Sequence, residues 1–148
     1  MRLSAKGRYA LAATTSMAQN QGNNEYITLI SISEKLGISK IYLEQVFSLL
    51  RHGGIVNSIK GSQGGYQLSR LPQQITVYDI LSAVETSLFE STEETLKEKA
   101  PEIEASMSLS IYVPLDALIK STLQQITLYD LVIEAEKHKS DQGFMFYI

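Results

Sequence analysis

The chain contains no cysteine and only two histidines among its 148 residues. Without cysteine there is no disulfide, no thiolate zinc site and no cysteine nucleophile. His52 and His138 lie far apart, and neither has a second histidine at metal-ligand spacing, so a histidine metal site has no support either. The acids of the C-terminal half make no spacing that marks a glycosidase or a metal constellation. Apolar runs are short, and none approaches the ~20 residues that span a bilayer. Met1-Arg2-Leu3-Ser4 leads into a polar, helical segment rather than the apolar core of a secretory signal. The expectation is a cytoplasmic protein that is not an enzyme and holds no cofactor or metal.

What is present is an uneven distribution of charge. Residues 1–70 carry eight cations against three acids, a balance of +5, whereas residues 71–148 carry five lysines against thirteen acids, a balance of −8. A basic half joined to an acidic half is the footprint of a nucleic-acid module attached to something else. The length suits one domain, or one domain with a long appendage.

Within the basic half, Leu29 to Ser69 organises the rest. Apolar residues at Ile32, Leu36, Ile38, Leu43 and Val46 give two steeply crossing helices one core. Ser33 is small where the helices approach, and Gly37 sits in the turn, where a positive φ costs glycine nothing. Ser39 caps the second helix, which runs to about His52, and Gly53-Gly54 ends it. Two strands follow, Ile55–Ile59 and Tyr66–Ser69, around the loop Lys60-Gly61-Ser62-Gln63-Gly64-Gly65. That loop lacks the Gly-Lys-Ser/Thr ending and the helix of a nucleotide loop, so a wing tip is the better reading. The predicted fold is mainly α with a small β-hairpin wing: a winged helix-turn-helix DNA-binding domain plus a long dimerisation helix.

Around this centre, Ser4 caps a helix from Ala5 to about Gln19, and Tyr26-Ile27-Thr28 is extended enough to pair with the wing. Thr76 with Asp79 caps a helix running to about Val84 or Glu85. Ser87 to Ala105 is acidic, interrupted by Pro101, and reads as a loop with a helical turn. From about Ser106 a helical apolar pattern returns, with Pro114 kinking it or starting it afresh. Its long apolar stripe has no intramolecular partner large enough to cover it, which predicts a homodimer. Gln124-Gln125-Ile126-Thr127-Leu128-Tyr129-Asp130 echoes Gln73-Gln74-Ile75-Thr76-Val77-Tyr78-Asp79. The flanks do not continue the similarity, so two helices starting with the same cap explain it better than an internal repeat. The organisation expected is a DNA-binding domain at 1–85, an acidic loop at 86–105, dimerisation helices at 106–139 and an apolar C-terminal tail at 140–148.

The second helix turns Lys40, Ile41, Glu44 and Gln45 away from its buried side, the position from which a recognition helix meets base edges. Gln45 can pair with adenine and Glu44 can accept from cytosine N4 in double-stranded DNA. Lys40, Tyr42 and Arg51 suit phosphate contacts that set register, and Ser39 at the helix start counts among the DNA-binding residues. Lys60 at the wing suits the minor groove, with Ser62 and Gln63 on the nearby backbone. Arg2, Lys6 and Arg8 add cations at the start of the first helix. His52 reads as a helix C-terminal residue favoured by the dipole.

Three stretches together resemble one family: MRLSAKGRYAL, then GISKIYLEQVFSLLRHGGIVNSIKGSQGGYQLS, then ITVYDILSAVE. They look like the Rrf-two-type transcriptional regulators, which include iron–sulfur and nitric-oxide sensors and a repressor of cysteine metabolism. YLEQ followed by the GGY wing is specific to that family, and the resemblance covers nearly the whole chain. It implies a homodimer with an exchanged or crossed long helix on a palindromic operator. It also implies that Glu44 and Gln45 lie near bases, with Lys60, where relatives often have Arg, in the minor groove. Cluster-binding members place three cysteines in the loop corresponding to about residues 91–105. This chain has STEETLKEKAPEIEA there, so iron–sulfur sensing of that kind is chemically excluded.

The ending Phe144-Met145-Phe146-Tyr147-Ile148 is similar to that of the cysteine-metabolism repressor, which works with O-acetylserine thiol-lyase (cysteine synthase). The resemblance implies that Tyr147 and Ile148 dock into that enzyme. The alternative, that Phe144, Phe146 and Ile148 pack on the dimer core, stays open beside it. The expected function is a dimeric repressor of cysteine or sulfur genes. Its rivals are a regulator of the same fold that senses another small molecule directly, and a winged-helix adaptor that does not bind DNA.

Overall fold

The computed structural model describes residues 2–20, 26–59 and 64–146. Helix α1 (Ala5–Gln19) starts where the Ser4 hydroxyl accepts the Gly7 amide at 3.1 Å. Its Ala10 and Ala13 are fully buried, and their small side chains let α1 lie close against the neighbouring helices. Helix α2 (Leu29–Leu36) starts at Thr28, whose hydroxyl accepts the Ser31 amide, and stops at Gly37 with φ 68°. A side chain would strain that left-handed turn. Ser33 closes it by donating its hydroxyl to the Ile38 carbonyl at 2.6 Å.

Helix α3 (Lys40–His52) buries Leu43, Val46, Phe47 and Leu50 on one side. Each of these side chains contributes about 1.5–3 kcal/mol through its removal from water. The two glycines that end α3 serve different needs. A Cβ at Gly53 would stand 2.5 Å from the Cβ of Ala83, so Gly53 permits close packing, whereas Gly54 supplies the positive φ of 76°.

Strands β1 (Val56–Ile59) and β2 (Gly65–Leu68) pair antiparallel, with Val56 opposite Leu68 and Ile59 opposite Gly65. The expected third participant is present: Ile27 bridges Tyr66 through amide–carbonyl bonds of 2.8 and 2.9 Å. Phe47 meets Tyr66 at 4.8 Å between ring centres, tying the wing to α3.

After a 3₁₀ turn at Pro72–Gln74, helix α4 (Val77–Val84) begins with the expected cap. Thr76 accepts the Asp79 amide and Asp79 accepts the Thr76 amide, both at 3.0 Å. Thr127 and Asp130 repeat this exchange at the start of α7 (Leu128–Phe146), at 2.9 and 3.1 Å. The echoed heptapeptides also pair with one another. Val77 donates to Ile126 and Leu128 donates to Ile75, at 2.8 and 2.9 Å, around an antiparallel Thr76–Thr127 bridge.

The C-terminal half makes three expectations more definite. Pro101 does not interrupt a loop but opens helix α5 (Pro101–Met107), where its missing amide costs no hydrogen bond. Pro114 starts a helix afresh in the first turn of α6 (Val113–Gln124), one of the two outcomes expected of it. The backbone widens into a π turn at Ser108–Tyr112, with the Val113 amide reaching back to the Ser108 carbonyl, and α6 continues from there. That wider turn relieves the clash a proline makes with the preceding helical turn. Finally, α7 runs on to Phe146, so most of the tail expected at 140–148 continues the helix. The acidic segment is tied to α4 where Phe89 meets Tyr78 at 5.0 Å, and within it the buried Glu104 carboxylate accepts the Leu96 amide at 3.1 Å. Among the described residues, no helix is long and apolar enough to cross a membrane.

Candidate nucleic-acid interface

The N-terminal two turns of α3 form an outward face bounded by the root of the wing. Lys40, Ile41, Glu44 and Gln45 are all exposed, opposite the buried Leu43, Val46 and Phe47. Helical spacing alone explains the division, because residues three and four apart share a face: 40, 41, 44 and 45 fall on one side and 43, 46, 47 and 50 on the other. Lys40 and Glu44 stand 3.8 Å apart across one turn, with more than half of each side chain in solvent. An exposed pair of this kind is weak enough to be exchanged for contacts with another molecule.

A cleft of about 540 Å³ adjoins this face, lined by Thr28, Leu29, Ile30, Lys40, Gly64, Gly65 and Tyr66. The start of α2 and the Lys40 ammonium open on the same space, and both favour negative charge there. The α2 start was not among the sites read from sequence. Its Thr28 cap is the local signal that could have located it.

The other expected contact residues divide. Ser39 spends its hydroxyl on the α3 cap, accepting the Tyr42 amide at 3.4 Å. Tyr42 is half-buried, its ring edge-on to Tyr9 of α1 at 5.2 Å, so it packs α1 against α3. Arg8 donates to the Leu3 carbonyl at 2.7 Å, within its own segment. Arg2 and Arg51 are exposed and Lys6 is half-buried. Lys60, Ser62 and Gln63 of the wing tip, and Tyr147 and Ile148 of the tail, lie outside the described residues. His52 ends α3 with Nδ1 donating to the Ser48 carbonyl at 2.7 Å, which keeps the proton on that nitrogen.

A second surface stands apart from this one. Ile103, Leu109, Ile111, Val113, Leu115 and Leu118 are all exposed along α5, the π turn and α6. Beneath them an apolar cluster centred on Val77, Leu81 and Leu123, with Tyr78 and Ile119 packed against it, joins α6 to α4. Lys120 lies over the Tyr78 ring at 5.6 Å and helps hold α6 in place.

Residues 3–134 match the family model Rrf2, described as "Iron-dependent Transcriptional regulator". The chain is 33% identical to the HTH-type transcriptional regulator CymR of Bacillus subtilis (strain 168) over 148 residues, all of both chains. It is 37% identical to the HTH-type transcriptional regulator IscR of Aliivibrio salmonicida (strain LFI1238), across 92% of this chain and 80% of that one. The solved structure of CymR (YrzC), titled the global cysteine regulator of B. subtilis, superposes with a TM-score of 0.72 at 34% identity. That match covers 90% of this chain and 98% of the other.

Proposed function

The chain belongs to the Rrf2 family of transcriptional regulators, and on that premise we propose that it is a homodimeric, cluster-free repressor of cysteine or sulfur genes. The observation that carries the DNA-binding part is the α3 face, which exposes Lys40, Ile41, Glu44 and Gln45 beside the wing. Gln45 reads a base and Lys40 sets register on phosphate. Lys60 at the wing enters the minor groove, and Ser62 and Gln63, with Arg2, Lys6, Arg8 and Arg51, supply further backbone contacts. The test is affinity for a palindromic duplex selected from a random pool. Gln45→Ala is expected to relax the preference for that duplex over random DNA, and adding Lys60→Ala is expected to lower overall affinity. Unchanged binding by both variants would refute the assignment.

The apolar side chains exposed along α5 and α6 support a second copy as their cover. An iron–sulfur cluster of this kind requires thiolates, and the chain has none. Among the described residues, no group of three histidines or acids is placed to hold a metal ion.

The signal then comes by another route. Full-length similarity to CymR supports cysteine control, and the apolar C-terminus supports docking of Tyr147 and Ile148 into O-acetylserine thiol-lyase. Titration of the thiol-lyase with the intact chain, and with one lacking Tyr147 and Ile148, separates the possibilities. Binding lost on truncation is expected, whereas no binding by the intact chain would remove this arm of the reading.

A further inference from the structure

Ile41 is a large apolar residue on a face otherwise made of charged and amide side chains. It lies in the first turn of α3 with 71% of its surface exposed. It belongs to neither apolar cluster of the protein. Lone exposed apolar residues are ordinary on protein surfaces, but the placement of this one is specific. Gln45 is one turn further along the same face, and the Lys40–Glu44 pair runs beside it at 3.8 Å. Ile30 at the start of α2 is also exposed, beside the cleft that Lys40 lines, and the apolar side chains exposed along α5 and α6 lie in a different part of the fold.

We propose that Ile41 is a specificity-determining residue that reads the C5-methyl group of a thymine in the major groove. This rests on the DNA-binding reading of α3 and adds its chemistry. An aliphatic side chain neither donates nor accepts a hydrogen bond, so it cannot distinguish the polar patterns of base edges. The apolar feature that base pairs present in the major groove is the thymine methyl. A β-branched side chain in a helix is nearly confined to one χ1 rotamer. Ile41 therefore meets the methyl at little further entropic cost. Gln45 reads a polar edge one turn away, so the two residues recognise neighbouring bases by different means.

The experiment uses the full-length protein and a palindromic duplex selected by it from a random pool. The duplex is then resynthesised with deoxyuridine replacing each thymine pair symmetrically, one position at a time. Deoxyuridine keeps every hydrogen-bonding group and removes only the methyl. At one symmetric position the wild type is expected to lose about fourfold in affinity per half-site, the ratio set by burying one methyl-sized group. Across both half-sites the loss is about fifteenfold. Ile41→Ala should bind the thymine and deoxyuridine duplexes equally, and Ile41→Val should keep most of the discrimination. Thermal unfolding of Ile41→Ala should match the wild type, because the side chain is exposed. A wild type indifferent to deoxyuridine everywhere, or discrimination undiminished in Ile41→Ala, would overturn the inference. If the wild type enriches no duplex at all, the DNA-binding reading itself fails and the inference falls with it.

Discussion

Helices α3 and α6 have similar lengths and both carry apolar side chains at helical spacing, yet they are packed in opposite ways. In α3 the residues Leu43, Val46, Phe47 and Leu50 have no exposed surface at all. In α6 only Leu123 is buried, while Val113, Leu115 and Leu118 keep 50% or more of theirs. Periodicity predicts a helix in both places but does not say what covers the apolar side. For α3 the cover comes from α1, α2, α4 and β1 of the same chain. For α6 the chain supplies mainly α4, which leaves most of the face open.

The sharpest way to break the comparison is to remove apolar volume from each side. Phe47→Ala is expected to cost about 3–5 kcal/mol, measured by urea unfolding, because its cavity lies where α3 meets the wing. Leu118→Glu should leave unfolding of the DNA-binding body nearly unchanged. It should weaken self-association by on the order of 30-fold per altered site, the scale of an interface hot spot, as read by sedimentation equilibrium. A monomeric wild type would show instead that the open face of α6 has another cover. Gln45→Ala acts on neither core: about 1–3 kcal/mol of discrimination between selected and altered duplexes should vanish while stability holds.

The smallest expected effect concerns the paired caps. Thr76→Ala and Thr127→Ala should each cost about 1 kcal/mol by removing a cap hydroxyl. Their double variant tests whether the bridge between them makes the two losses depart from additivity. A sum of the single effects within about 0.5 kcal/mol would mean that the two helix starts act independently.

The first half of the fold was legible because its signals are local. Ser4, Ser39 and Thr76 each announce a helix start that the structure places within a residue, and Gly37 marks its turn. The outward set on α3 follows from the same spacing that buries Leu43 and Val46. What escaped depends on distant residues or on backbone options with no composition mark. Tyr42 reads from the sequence as a phosphate contact, and its packing on Tyr9 of α1 has no local mark. The matching caps at Thr76 and Thr127 were readable, but their direct pairing is a contact across some fifty residues. Pro101 permits a break or a helix start, and only the surrounding packing decides between them.

The most direct test of the α3 face as a DNA-binding surface is the salt dependence of binding to the selected palindrome. Affinity should fall by about three orders of magnitude between roughly 50 and 200 mM salt, as six or more phosphate contacts per dimer require. Lys40→Ala should flatten that slope, and Gln45→Ala should keep the slope while losing sequence preference. Weak binding that does not change with salt, or variants indistinguishable from the wild type, would contradict a DNA-reading role for this helix.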